Sequence, residues 1–139
     1  MKFLGWLCFF LLISFIAQAQ TNPDTLQTTS GLRYIILENG HGPAVKKGDK
    51  VAVQYTGRFR DGRVFDSSGK KLIRLQAGTG EVIPGWDEML LLMHPGEEVE
   101  VQIPAKLAYG QIGVRNEEGD YRIPPNTDLF FRMKVVEVK

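Results

Sequence analysis

The side chains with nucleophilic, acid–base or metal-binding capacity are few in this sequence, and none stands in a pattern that would use it. His41 and His94 lie far apart in turn contexts, Gly40-His41-Gly42-Pro43 and His94-Pro95-Gly96. A surface role accounts for the first and a helix C-terminus for the second. Ser67-Ser68 lacks the strand–turn–helix setting of a nucleophile elbow and reads instead as a source of turn hydrogen bonds. Asp87-Glu88 fits the first turn of a helix, where negative charge is favoured. Glu97-Glu98 reads as a solvated strand entry. Gly78-Thr79-Gly80 lacks the further Gly and Lys of a phosphate cradle. Cys8 is the one cysteine, inside an N-terminal apolar run, so the rest of the chain offers no thiolate and no disulfide. Neither a cofactor nor a metal is expected.

What remains is aromatic. Tyr55, Phe65, Trp86, Tyr109 and Phe131, with Ile73, Leu75, Val82, Ile83, Ile123 and Leu129, come from many separate segments. Such residues ordinarily form the core. Two contexts argue for a pocket as well. Asp66 follows Phe65 at the end of an inward-pointing apolar strand. Tyr109 sits at a loop entrance between Ala108 and Gly110, where its hydroxyl can reach a ligand. Aromatic walls with a few placed polar atoms suit small apolar groups.

The elements that must position these residues are mostly strands. Residues 50–59 alternate, with Val51, Val53 and Tyr55 on one face. Gly57 marks a bulge or a close backbone approach. Asp61-Gly62 signals a hairpin between Phe59 and Val64. Residues 32–37 and 72–75 read as further strands. Residues 98–103 alternate, with Val99, Val101 and Ile103 inward. Leu129, Phe131, Met133 and Val135 form the inward face of a last strand, whose phase slips near Val136 and Val138. One stretch, residues 81–93, reads as a helix: Trp86, Met89, Leu90 and Met93 make an apolar stripe at i, i+3, i+4 and i+7. Pro84-Gly85 opens it and His94-Pro95-Gly96 stops it. The expectation is an α+β fold, a five- to six-stranded antiparallel sheet half-wrapped around one short helix, with a wet outer face.

Three domains of organisation follow. Residues 1–19 read as a signal peptide: Lys2, an apolar run over residues 3–16 and Ala17-Gln18-Ala19, with cleavage after Ala19. The run, about 14 residues, is short of a bilayer span; an uncleaved anchor is the other reading. This places the protein outside the cytoplasm, periplasmic or secreted, with no stable membrane insertion after cleavage. Residues 20–30, polar and threonine-rich, read as a flexible linker, and residues 31–139 as the folded domain. Without Lys2 the chain carries 16 basic and 16 acidic residues, a balance that gives no electrostatic case for nucleic acid.

At the aromatic residues the sequence resembles the FKBP family of peptidyl-prolyl cis–trans isomerases, the macrolide-binding class. The motifs run in order: Val53-Gln54-Tyr55-Thr56-Gly57; Asp61-Gly62-x-Val64-Phe65-Asp66-Ser67-Ser68; Gly80-Glu81-Val82-Ile83-Pro84-Gly85-Trp86; Ile103-Pro104-x4-Tyr109-Gly110; and Ile123-Pro124-Pro125-Asn126-x2-Leu129-x-Phe131. The resemblance implies catalysis by Asp66, Tyr109 and Phe65, and substrate binding by Tyr55, Val82, Ile83, Trp86, Ile123 and Phe131. Trp86 would be the floor beneath a proline ring, and the Ile83 N–H and Tyr109 hydroxyl would hold carbonyls. The implied partners are proline-containing unfolded or nascent exported polypeptides and macrolide inhibitors, with the protein a monomer. A non-catalytic chaperone or peptide-binding module on the same fold is the alternative. The chain departs from the family pattern in a shorter segment between Asp66 and Glu81, a longer polar loop from Tyr109 to Ile123, and Arg122 where an apolar residue is common.

Overall fold

The computed structural model describes residues 24–139. The expected signal peptide, residues 1–19, and residues 20–23 of the expected linker lie outside the described residues. In chain order the elements are β1 (Leu26–Gln27), β2 (Arg33–Glu38), β3 (Lys50–Arg58), β4 (Val64–Ser67), β5 (Ile73–Gln76), α1 (Pro84–Leu92), β6 (Glu98–Ile103), a 3-10 turn (Ala105–Leu107), β7 (Val114–Arg115), β8 (Tyr121–Ile123) and β9 (Leu129–Val138).

The main sheet is antiparallel, in the order β1-β2-β6-β9-β3-β4. The free edge of β3 is shared: β5 pairs with its first residues, Lys50 to Val53, and β4 with Thr56 to Arg58. This is the expected α+β arrangement of sheet and single short helix. The two-residue β1 adds a seventh strand to the sheet. Within the loop expected as irregular, β7 and β8 form a separate two-stranded ribbon.

Period-two stripes from three strands meet the helix stripe. Val51 and Val53 of β3, Val99, Val101 and Ile103 of β6, and Leu129, Phe131, Met133 and Val135 of β9 are all buried. They form one cluster with Trp86, Met89 and Leu90 of α1 and Met93 just beyond it. Each such side chain contributes about 1.5–3 kcal/mol relative to exposure. The expected phase slip is a bulge. Val51 pairs with Val138 and Ala52 with Glu137, but Val53 pairs with Val135, so Val136 is the extra residue. On the wet face Arg132 pairs with Glu98 at 2.6 Å and Lys134 with Glu38 at 2.9 Å, contacts that set cross-strand register more than stability.

The helix begins without a side-chain cap at Ile83, and Pro84 occupies the first turn, where its missing N–H costs nothing. Asp87 does more than complement the dipole. Its carboxylate accepts the N–H groups of Gly78 at 2.9 Å and Gly80 at 2.8 Å, tying the preceding turn to the helix. Gly85 sits where α1 crosses the sheet. A Cβ there would overlap Ile103 Cγ2 and stand 3.1 Å from the Leu107 carbonyl oxygen.

Two expectations need correction. Residues 24–30 were expected to belong to a flexible linker. Instead Leu26 and Gln27 pair with Tyr34 and Arg33, and Ser30 donates its hydroxyl to the Glu88 carboxylate at 2.6 Å. The threonine and serine content that resembles a tether supplies these bonds: Thr28 Oγ1 also accepts the Leu32 N–H. Glu97 was expected to be solvated, yet it is 5% exposed. Burial pushes its carboxyl above the usual carboxylate range, opposed by His94 and by the backbone N–H groups of His94 and Gly40.

Gly85→Ala gains helix propensity but overfills the contact with Ile103. The expected net effect is a loss of about 1–3 kcal/mol, read as a lower urea midpoint at unchanged m-value. A variant as stable as its parent would show that Ile103 yields freely.

Candidate active site

The open end of the core holds a cavity of about 230 Å3 between α1, β3, β4, β5 and β9. Its walls are Tyr55, Phe65, Asp66, Ile73, Glu81, Val82, Ile83, Trp86, Tyr109 and Phe131. Two larger depressions, of about 530 and 420 Å3, are lined by charged residues, the first by Lys50, Arg74, Glu81, Glu137 and Lys139, the second by Arg60, Asp61, Arg63 and Asp128. The smaller one gathers five aromatic residues from separate elements with Asp66 and Glu81.

Trp86 is 5% exposed and forms the floor. Its ring meets Tyr55 at 4.8 Å and 84°, and Phe131 at 5.4 Å and 87°. Phe65 meets Phe131 at 5.6 Å and 85°. These edge-to-face contacts lock the rings beyond simple area burial. Gly57 lets the wall form. A Cβ there would stand 2.7 Å from Phe65 Cζ and 2.8 Å from Phe131 Cε1. The same residue borders a register shift between β3 and β4, so both expectations for it hold. Behind Phe65 stands Phe59, at 5.0 Å.

The polar groups arrive from separate elements. Asp66 lies on β4, one residue before its end. Its Oδ2 accepts the Tyr55 hydroxyl at 2.7 Å and its Oδ1 the Ser67 N–H at 2.9 Å. Ser68 secures the same strand pair, with its Oγ accepting the Tyr55 N–H at 2.9 Å and its N–H donating to the Tyr55 carbonyl at 3.0 Å. Tyr109 follows the 3-10 turn and is 41% exposed, with no hydrogen bond from its hydroxyl among the described residues. Glu81, on the opposite wall, accepts the Gln76 N–H at 3.1 Å. The Tyr55 phenol is pushed up to about 12, first by burial, then by its hydrogen bond to Asp66 and by the Asp66 charge.

Of the residues singled out in the sequence, Tyr55, Phe65, Asp66, Val82, Ile83, Trp86, Tyr109 and Phe131 are brought together on this cavity. Ile123 is placed otherwise: it is 4% exposed, pairs with Val114 and belongs to the core. Glu81 was not singled out for the site, although it directly precedes Val82. Among the described residues no group of three or more His, Cys, Asp or Glu side chains could hold a metal ion.

The raised Tyr55 pKa links stability to pH. Folded and unfolded phenols are both protonated below pH 10. As pH rises from 10 to about 12 the unfolded phenol loses its proton while the folded one keeps it, so this contribution to stability is lost across that window. Ultraviolet titration should find one tyrosine ionising near 12. Tyr55→Phe removes that step, and Asp66→Asn moves it part of the way down.

Three comparisons bear on this geometry. Residues 42–136 match the model of the FKBP-type peptidyl-prolyl cis-trans isomerase family. The outer membrane protein MIP of Legionella longbeachae is 39% identical over 91% of this chain, which spans 52% of that protein's length. The FKBP-type 22 kDa peptidyl-prolyl cis-trans isomerase of Escherichia coli is 39% identical over 80% of this chain, which again spans 52% of its relative. The crystal structure of AtFKBP13 superposes with a TM-score of 0.78 at 33% identity, covering 83% of this chain and 98% of that one. Aromatic floor, wall carboxylate and rim hydroxyl thus occur on a backbone and a sequence of one kind, and the chain belongs to the FKBP-type peptidyl-prolyl cis-trans isomerase family.

Proposed function

We infer that this protein accelerates cis–trans rotation about Xaa-Pro bonds in polypeptides, with Asp66, Tyr109 and Phe65 as catalytic residues and Tyr55, Val82, Ile83, Trp86 and Phe131 as the proline-binding wall. The observation that carries the reading is the box of edge-to-face rings around Trp86, open to solvent and edged by hydrogen-bonding groups with capacity to spare. Ile123, part of the same buried cluster as Trp86 and Phe131, would contribute to substrate binding from the core beside them.

Rotation about a peptide bond is opposed by its resonance, a barrier of about 18–20 kcal/mol. No covalent bond is made or broken. The twisted amide carries less charge on oxygen than the planar one, so an apolar site tolerates it better. A cavity that strips water from the imide and fits the twisted form lowers the barrier by differential binding. Trp86 would lie beneath the pyrrolidine ring. The Ile83 N–H precedes the helix and enters no hydrogen bond among the described residues, and the Tyr109 hydroxyl is similarly uncommitted. These two would hold the flanking carbonyls. Asp66, fixed by Tyr55 and Ser67, would orient the amide as it turns.

Export fits the chain's first residues: the apolar run, the Ala17-Gln18-Ala19 site and the loss of Cys8 with the leader. An outer membrane protein among the relatives supports the same reading. Its substrates would then be unfolded exported chains rich in proline, met by a monomer in the periplasm or outside the cell, and macrolides would compete for the cavity. A non-catalytic binding module is disfavoured by the intact wall.

The test is cis–trans exchange of a short Leu-Pro peptide, measured with micromolar protein with and without a macrolide. Acceleration that the macrolide suppresses is expected; none at all would sink the isomerase reading. Asp66→Ala, with the fold retained by circular dichroism, should lower kcat/KM about tenfold or more, the scale of one hydrogen bond to a charged group. Trp86→Leu should weaken peptide and macrolide binding together.

A further inference from the structure

The mouth of the cavity carries a cation that the pocket's own geometry leaves unused. Asp66 already has a donor on each oxygen, Tyr55 on Oδ2 and Ser67 on Oδ1. Arg122 nevertheless reaches in from β8. Its Nη2 stands 3.8 Å from Asp66 Oδ1 and 3.4 Å from the Phe65 carbonyl oxygen. The first distance is Coulombic reach without a hydrogen bond, and the second is a long one. The side chain is 57% exposed, and most of the five N–H donors of its guanidinium are left to whatever occupies the mouth. Its neighbour Arg115 is not comparable: it stacks on Tyr121 at 3.9 Å and donates to the Tyr121 hydroxyl and the Gly119 carbonyl. The acidic groups on the cavity wall are Asp66 and Glu81, which by themselves would repel a carboxylate brought by the substrate. Arg122 offsets the nearer of them and offers the planar fork that carboxylates accept in pairs.

Resting on the isomerase reading, we propose that Arg122 is a specificity-determining residue, favouring polypeptides that carry an acidic side chain beside the rotating proline bond, on the flank that passes over Phe65 and Asp66. The same charge disfavours a basic side chain there, so discrimination comes from repulsion as well as attraction.

The experiment compares N-acetylated, C-amidated peptides with Glu or Gln directly before or directly after proline. Exchange rates are normalised to the uncatalysed rate of each peptide. At low ionic strength one of the two positions should show Glu favoured over Gln by about two- to fivefold in kcat/KM, the scale of a partly exposed ion pair. Salt at about 1 M should erase the preference, since charges are screened within about 3 Å there. The ratio should fall to one in Arg122→Gln, invert in Arg122→Glu and persist in Arg122→Lys. A ratio of one at both positions in the parent protein overturns the proposal. So does a ratio unchanged in Arg122→Gln while both rates fall alike, which would make Arg122 a fastening between ribbon and β4 only. If a neutral Leu-Pro peptide is not accelerated either, the isomerase reading itself has failed; if it is accelerated without charge preference, only this inference has.

Discussion

A single methyl group at position 85 would overlap Ile103, so α1 lies as near to β6 as its backbone allows. That proximity sets where the next residue, Trp86, can stand. With the helix seated this deeply, the indole reaches the edges of Tyr55 and Phe131 instead of filling the gap beneath itself. Gly57 does the equivalent from the side of the sheet, letting Phe65 and Phe131 close over bare backbone. Two absent side chains therefore define the cavity, one from below and one from the flank. The rings need this support because a close-packed interior transmits even small displacements.

Much of this was readable from the chain. The alternation of residues 50–59 and 98–103 fixes which faces are inward, and Asp61-Gly62 fixes the hairpin that sets Phe65 and Asp66 opposite Gly57. The apolar stripe Trp86, Met89, Leu90 and Met93 found its place because burial on a helix has one period and burial on strands another. What escaped reading depends on partners distant in sequence. Ser30 looks like linker until Glu88 is beside it. Glu97 looks solvated until His94 and Gly40 enclose it. Ile123 sits in a motif with pocket residues, yet its pairing with Val114 turns it into the core. The β7–β8 ribbon is too short and too polar to announce itself by periodicity.

The polar equipment of the cavity is divided among elements in a way that keeps part of it rigid and part of it free. Tyr55 and Asp66 come from adjacent strands and satisfy one another, so the carboxylate is held in one place although its side chain is 42% exposed. Tyr109 and Ile83 come from a loop and a helix entrance, and their donors stay available. The division sets a fixed charge beside donors that stay free.

The Ser30–Glu88 hydrogen bond gives the start of the chain a grip on α1, two residues beyond Trp86. Together with the pairing of β1 on β2, it makes the N-terminal segment a second attachment for the helix that floors the cavity. A displacement of residues 26–30 is therefore delivered both to the sheet edge and to α1. Residues 26–30 thus share a mechanical path with Trp86.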